Sequence, residues 1–591
     1  MRKDLSVSVK VSRFTVVTLL LCFLSWSTAE SLYSALDAVL QLNSSSFQES
    51  VFLKDNAWIV EFYSSWCGHC INFAPLWKKF AKDIQAWDKV VRVAVVNCAD
   101  EVNVDLCRKY QVEYYPSIKY FWIQADENSL GNTSYKEDNI TSLRHNLIDF
   151  LTVKVNESTL LPSGWPKFDT DKISQTVSEM WRHLPTNWDS IFVVIEPENS
   201  YIGREVILDL SSEEDLRVVR VTTSNVNLVE DILQDIDDSV LPVLVDIRRG
   251  KSPHLLIQPM FGESPRRLFV ETLSRLLRLT TESPGPESTT MRNNNTNSSV
   301  LASKSQRVYM SDLENVIRYS LKQEVGVHDV LEEAQLKALK YYLEILIKYF
   351  PGRPPIKRFL KELEKWVTQR ISEVVDTEVF LNYIDNIQSD TIQLPVMREW
   401  QACQGSKPTF RGYPCGVWML FHTLTVQALE DFNKGGTDNP REVLFAMRDY
   451  VRNFFTCHYC ARHFAEMAAD LQTDLVNPND TVLWLWRAHN RVNRRLAGDA
   501  SEDPYHPKVQ FPTIQLCPDC HIKTTWNSTA VMNYLMKFYG EKNFADFEGH
   551  HQEMLEDDSK NFAFPLQGAS LWIHSLWGSV IVIVDLARSV T

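Results

Sequence analysis

The chain has 591 residues, 44% of them hydrophobic and 23% charged, and a formal net charge of −14. That length exceeds what a single core holds and points to about three to five domains. The acidic balance excludes nucleic acid as a main partner, because phosphate binding needs a basic surface.

Residues 1–29 read as a secretory signal. Arg2, Lys3, Lys10 and Arg13 precede an apolar run from Phe14 to Trp26, and Ser27-Thr28-Ala29 form a small-residue cleavage site. Loss of the signal removes Cys22 from the 11 cysteines and leaves an even number, which favours full disulfide pairing in an exported chain. Sequons at Asn43, Asn132, Asn139, Asn156, Asn294, Asn297, Asn479 and Asn527 agree with that compartment. The expected location is the lumen of the endoplasmic reticulum or Golgi, followed by secretion or retention in the Golgi membrane.

Residues 34–154 alternate strand and helix signals. A strand over Trp58–Tyr63 leads into Cys67-Gly68-His69-Cys70 and an amphipathic segment, Ile71–Ile84. Strands at Val90–Val96 and Tyr120–Ile123 and a helix over Ile140–Val153 complete a βαβ layout. A Cys-x-x-Cys pair opening a helix places Cys67 near unpaired backbone N–H groups and the positive end of the helix dipole. Its sulfur is expected to face solvent as the attacking thiolate. Cys70, one turn inward, resolves mixed disulfides, and Glu61 on the preceding strand is a candidate relay for its proton. His69 between the cysteines favours a more oxidising pair. Pro116 is expected to be cis, facing the disulfide and leaving backbone for an incoming peptide. Glu61-Phe62-Tyr63-x-x-Trp66-Cys67-Gly68-His69-Cys70 resembles the thioredoxin superfamily, and its protein disulfide isomerase branch most. Cys98 and Cys107, flanking a turn, read as a structural bridge.

Residues 165–280 repeat the rhythm. Strands are predicted at Ile191–Ile195, Arg217–Val221 and, after Leu241-Pro242, Val243–Ile247, with helices at Gly203–Leu210 and Arg267–Leu279. This copy contains no cysteine, so spacing or substrate shaping is its expected role. Residues 281–306 form a polar linker. Over residues 307–392 the pattern is helical. Leu336, Leu339, Leu343, Leu346 and Phe350 step by three and four before Pro351, and Phe359, Leu360, Leu363 and Val367 restart the pattern. A packed helical spacer without chemistry is expected there. A second all-helical block covers 393–500, and 501–560 is a C-terminal extension with Cys517-Pro518-Asp519-Cys520 and a helix near Val531–Phe538. Leu566–Val584 is mostly apolar and reads either as a membrane anchor or as a buried tail.

The second block holds Cys457-x-x-Cys460-x-x-His463 on one helical stretch. Trp486, His489 and Asn493 follow on one helix face with Asn490 beside them, an aromatic wall suited to a planar ring system. Trp418 and His422 repeat that spacing after Cys415. A zinc set of Cys457, Cys460, Cys517 and Cys520 is the alternative. The surrounding Trp, His and Asn have no role in a zinc knuckle and an oxidising lumen favours disulfides, so no metal is expected.

Arg411-Gly412-Tyr413-Pro414-Cys415, Trp418 with His422, Cys457-x-x-Cys460-x-x-His463 and His489-Asn490-x-Val492-Asn493 resemble the Erv/ALR flavin-linked sulfhydryl oxidases. Together with the preceding regions, and with Ser200-Tyr201-Ile202-Gly203-Arg204-Glu205 in the second copy, the chain is similar to the quiescin-sulfhydryl oxidase family of the animal type over nearly its whole mature length. The resemblance implies a multidomain fold: two α/β thioredoxin-like domains, an all-α spacer and an all-α, FAD-binding four-helix bundle. It implies FAD contacts from Arg411, Trp418, His422, Tyr459, His463, Trp486, His489, Asn490, Val492, Asn493, Lys508 and Phe511. Tyr459 stands where the family often has an acidic residue, and Phe511 where it often has Trp. The implied activity is disulfide formation in reduced secretory client proteins and small thiols, with O2 reduced to H2O2, by a monomer. Electrons would pass from Cys67 and Cys70 to Cys457, the interchange sulfur, and leave from Cys460 beside the flavin. Cys403–Cys415 reads as a structural disulfide, and Cys517–Cys520 as a structural clasp or an auxiliary shuttle. The rivals are a flavin-free disulfide isomerase and a non-catalytic binding glycoprotein.

Overall fold

In the computed structural model, β1 (Leu40–Leu42), β2 (Ala57–Tyr63), β3 (Val91–Asn97), β4 (Ser117–Phe121) and β5 (Asn132–Ser134) form a sheet of order β1-β3-β2-β4-β5. The structure describes residues 31–545 except 135–136, 159–160, 169–173, 185, 187, 214–216, 234–240, 261, 279–306, 437–438 and 524. The signal, the linker with Asn294 and Asn297, and the apolar stretch 566–584 therefore lie outside the described residues.

Every residue of β2 is buried, as a central strand covered on both faces requires. It runs parallel to β3 and antiparallel to β4. Its end feeds α1 (Gly68–Asp83), with Cys67 at the N-cap. The Tyr115-Pro116 bond is cis. The predicted strand Tyr120–Ile123 instead starts at Ser117, which pairs with Phe62. The sequence hid this because Ser117 and Lys119 are polar yet buried in the sheet. The helix α2 (Ile140–Glu157) is capped by Asn139, whose side chain accepts from Ser142 N.

The second copy contains β6 (Ser190–Glu196), α3 (Ile202–Asp209), β7 (Val218–Thr222), β8 (Val243–Arg248), β9 (His254–Ile257) and α4 (Pro265–Arg278). Its sheet order, β7-β6-β8-β9, repeats the pairing of β3-β2-β4-β5, with no equivalent of β1 among the described residues. The copies share one buried cluster, in which Val206, Ile207, Leu208, Phe269 and Leu273 join Trp77, Phe80 and Trp87. Polar groups fix the seam: Arg266 reaches Asp209 at 2.7 Å and Asp83 at 2.9 Å, and Arg144 reaches Asp83 at 2.8 Å.

The helical half begins with α5 (Met310–Tyr319), which runs into a π turn at Ser320–Glu324. Next come α6 (Glu333–Tyr349), closed by a Glu332/Gln335 capping box, α7 (Pro354–Gln369), which starts on Pro354, and α8 (Thr377–Asn386). Then follow α9 (Gly412–Asn433), α10 (Glu442–Phe454), α11 (His458–Met467), α12 (Asp480–Leu496) and α13 (Ser528–Phe538). Helix α9 packs on α10 and α12, and also on α5 and α6. A Cβ at Gly416 would lie 2.5 Å from Val316 Cγ2 and 2.9 Å from the Trp400 ring, so the missing side chain is what lets α9 and α5 approach. A parallel pair between Val308–Tyr309 and Phe544–Ala545 ties the two ends of this half together. Among the described residues no helix is long and apolar enough to cross a membrane.

Candidate active site

Cys67 and Cys70 are thiols, both at 0% exposure, with a hydrogen bond between their sulfurs. The expectation of a solvent-facing Cys67 is corrected, because the chain's own segment around Phe455–Tyr459 seats against this centre. Tyr115 N donates to Thr456 O at 3.2 Å. The Tyr114 ring stacks on His458 at 5.5 Å, and the His69 ring meets Tyr459 edge-on at 3.9 Å. Trp66 lies against Phe455 and Tyr413 and donates to the Tyr319 hydroxyl at 2.6 Å. The Asn72 amide reaches the Asp499 carboxylate at 3.2 Å.

Cys457 is buried in the same cluster as Cys67 and Cys70 and is disulfide-bonded to Cys460, which remains half-buried. A dithiol thus faces a disulfide across one interface. Burial pushes the Glu61 carboxyl up to about 8; a hydrogen bond from Tyr33 opposes this and the charge of Cys67 adds to it. Burial, the hydrogen bond to Cys67 and the charges of Cys67 and Glu61 push the Cys70 thiol well up. Cys70 therefore keeps its proton at neutral pH until a nearby base removes it, and Glu61 is the buried carboxylate whose charge it feels.

The spacer also reaches this junction, contrary to the expectation of a region without chemistry. Glu324, 1% exposed, accepts from Thr456 N at 2.9 Å and from Thr456 Oγ1 at 3.1 Å. Burial pushes its carboxyl up to about 8, against the Thr456 hydrogen bonds and with the charge of Cys67. Behind it, Tyr413 and Tyr450 share a hydroxyl hydrogen bond at 2.7 Å, and Ser320 Oγ lies 3.2 Å from the Tyr413 hydroxyl. Neither Tyr319 nor Glu324 sits in a recognisable motif. The nearest signal was a polar residue inside an otherwise buried helical turn.

The second assembly stands on α9 and α12. The Trp418 and His489 rings stack at 4.2 Å with planes 9° apart. His422 Nε2 lies 3.2 Å from His489 Nδ1, and the His422 ring stacks on Tyr539 at 4.7 Å. Asn490 clamps the backbone of Phe511 on both sides at 2.7 Å; Trp486 Nε1 donates to Phe511 O, and Asn493 Nδ2 to Val509 O at 3.0 Å. These three side chains thus hold segment 509–511, beside which Val492 is half-buried. The Phe511 ring turns to Tyr534 and Phe538. Tyr459 lies between His69 and His463, with the guanidinium groups of Arg462 and Arg495 over its ring.

The residues fit FAD. Arg411 Nε, His422 Nδ1, His463 Nε2 and His506 Nε2 are buried polar atoms without a partner among the described residues, a costly arrangement unless a ligand completes it. Burial, then Arg411, hold the Lys508 ammonium below its usual range, with Glu502, Asp503 and Asp499 opposing in part. Burial pushes His489 well down, helped by His422, Lys508 and Arg411, and burial alone takes His422 to about 3. Two half-buried cations beside neutral imidazoles and a stacked indole suit an anionic linker joined to a planar ring. His506 and Tyr539, both outside the motifs, belong to this set.

Three further disulfides join Cys98 to Cys107, Cys403 to Cys415 and Cys517 to Cys520. Next to the last, His521 rests on Trp526, which meets Trp486 edge-on.

Three family models match: thioredoxin over 38–144, flavin adenine dinucleotide (FAD)-dependent sulfhydryl oxidase over 304–406, and the Erv1/Alr family over 415–512. The chain is 38% identical over 523 residues to sulfhydryl oxidase 1 of Cavia porcellus, covering 87% of this chain and 82% of that one. It belongs to the quiescin-sulfhydryl oxidase family. Sulfhydryl oxidase 2 of Homo sapiens is 36% identical over 525 residues, covering 86% of this chain and 73% of its own. A solved sulfhydryl oxidase fragment of human QSOX1 is 42% identical with a TM-score of 0.38, covering 41% of this chain and 98% of that one. This oxidase is a flavin-linked enzyme that introduces disulfides and reduces O2 to H2O2, with FAD as cofactor. The match over 304–406 gives the spacer a place in the flavin enzyme that its sequence pattern did not.

Proposed function

We propose that electrons enter this oxidase at Cys67–Cys70, cross to Cys457–Cys460 and leave from Cys460. The observation that carries the route is the burial of Cys457 in one cluster with Cys67 and Cys70, where Thr456 pairs with the backbone before Pro116. A client thiolate attacks Cys67 of the oxidised Cys67–Cys70 pair and Cys70 leaves as the thiol, its proton coming from the side of Glu61; a second client thiolate then displaces Cys67, so that the client leaves as a disulfide and the pair as a dithiol. The Cys67 thiolate then attacks Cys457 and breaks its bond to Cys460. Bound FAD supplies the two-electron chemistry that carries the pair from a dithiol to O2. Arg411 and Lys508 hold the anionic part of the cofactor, Trp418, His422 and His489 its ring wall, and Asn490, Asn493 and Trp486 the 509–511 segment that closes the site.

Cys98–Cys107 and Cys403–Cys415 brace the two centres, and Cys517–Cys520 serves as a clasp on the C-terminal extension. We also propose export through the secretory pathway as a monomer acting on reduced client proteins, with N-glycans at Asn43, Asn132, Asn139, Asn156 and Asn479, all exposed, and at the half-buried Asn527. Purified enzyme should be yellow and consume O2 with a reduced protein, and Cys457→Ser should abolish that consumption. Undiminished consumption by Cys457→Ser would reject the route.

A further inference from the structure

At the junction between the two centres the route leaves the buried acid Glu324 without a role. Glu324 lies outside the Cys67–Cys70 and Cys457–Cys460 motifs, yet its carboxyl receives both donors of the residue preceding Cys457. Thr456 is at the same time held from the other side, where its carbonyl accepts from Tyr115 N. The residue next to the electrophilic sulfur is therefore fixed by the spacer on one side and by the thioredoxin-like half on the other.

We propose that Glu324 is the positioning residue for transfer between the two dicysteine centres: its carboxyl holds Thr456, and through it Cys457, in the register that Cys67 attacks. This rests on the route above. In that step the Cys67 thiolate forms a bond to Cys457 Sγ, the Cys457–Cys460 bond breaks, and the electron pair leaves on Cys460. The Cys70 thiol, losing its proton toward Glu61, then displaces Cys457 from Cys67. Two electrons have moved, and the first pair is a disulfide again.

The charge state of Glu324 matters to an attacking thiolate. A neutral carboxyl accepts the two Thr456 hydrogen bonds without placing a negative charge beside Cys67, whereas an ionised one opposes the attack. The ionisable groups that feel its charge are Tyr115, Tyr319, Tyr413 and Tyr450, each held well above the usual phenol range chiefly by burial, and Glu324 in turn feels the charge of Cys67. The tyrosines stay neutral, so the charge that changes on this side of Cys67 near pH 8 is that of Glu324. Glu61, also at about 8, changes on the strand side.

The test compares turnover with a reduced protein in the full-length enzyme and turnover with dithiothreitol in a Cys67→Ser, Cys70→Ser background, where the transfer from the first pair to Cys457–Cys460 is removed. Glu324→Ala should lower the ratio of protein to dithiothreitol turnover about tenfold, the scale expected when two hydrogen bonds orienting a reacting segment are lost. Glu324→Gln, which keeps an acceptor for Thr456, should restore most of that ratio at pH 7. The parent's protein turnover should decline through about pH 8 and Glu324→Gln should flatten that decline; Glu61 is common to both enzymes, so the difference between their profiles isolates Glu324. Equal losses with both substrates, or no loss, would overturn the proposal. If Glu324→Ala does not fold, a Gln profile identical to the parent's overturns it alone. Should Cys67→Ser leave protein turnover intact, the route itself fails, a result separate from either outcome for Glu324.

Discussion

Cys460 and Cys457 differ in what covers them. Cys457 is wholly buried in the cluster that holds Cys67 and Cys70, whereas Cys460 is half-buried and packs on the edge of that cluster at the start of α11, which is the basis for proposing Cys457 as the sulfur that meets the thioredoxin-like side. Cys460→Ser should leave FAD bound and abolish O2 consumption with every thiol, because the flavin loses its electron donor. A visible spectrum with an oxygen electrode checks both halves of that expectation. The acid Glu61 has a different burden: with Cys70 pushed well up, exchange needs a base at the buried sulfur. Glu61→Gln should therefore slow release of mixed disulfides from Cys67 by about tenfold to a hundredfold, within the range for a lost general base, as read by rapid-quench trapping. Among these residues the cysteines and Glu61 were legible in the sequence, because a reactive dithiol needs a helix start and a buried acid on the strand before it. Glu324, Tyr319, His506 and Tyr539 were not. Their positions depend on which helices pack together, and no local spacing encodes that.

At the scale of elements, two seams hold the molecule in working geometry. Between the thioredoxin-like copies, Arg266 bridges Asp83 and Asp209 while Trp87 Nε1 also donates to Asp209 at 2.7 Å. Arg266→Ala should cost about 1.5–3 kcal/mol, the usual loss for hydrogen bonds to a charged group, measurable by denaturant unfolding. Between the spacer and the flavin block, Gly416 lets α9 lie on α5. Gly416→Ala should destabilise by about 1–3 kcal/mol through overpacking against Val316 and Trp400, with flavin released at a lower temperature. Strands and helices were largely legible because their apolar periods of two and 3.6 are strong. The close union of α5 and α6 with α9 was not, since an amphipathic stripe says that a helix is covered but not by what. The second sheet kept its predicted rhythm without cysteine. It packs through the shared core on α1 and α2 of the redox-active copy.

Across the whole molecule, the same contacts that bring the two centres together also hide the first one. Cys67 at 0% exposure cannot meet a protein thiol while Thr456 occupies the backbone before Pro116, so the proposed route requires this interface to open for clients. Cys67→Ser or Cys70→Ser should consequently hit protein thiols much harder than dithiothreitol, which reaches Cys457–Cys460 directly. Parallel oxygen uptake with the two substrates checks this, and equal losses would mean that clients dock elsewhere. The most direct test of the transfer itself is a trap. A Cys70→Ser, Cys460→Ser double variant leaves Cys67 and Cys457 without their resolving partners. Non-reducing peptide mapping should find them joined to each other in a bond that a reductant reverses. Free thiols at both positions, in a folded protein whose parent turns over normally, would contradict the account.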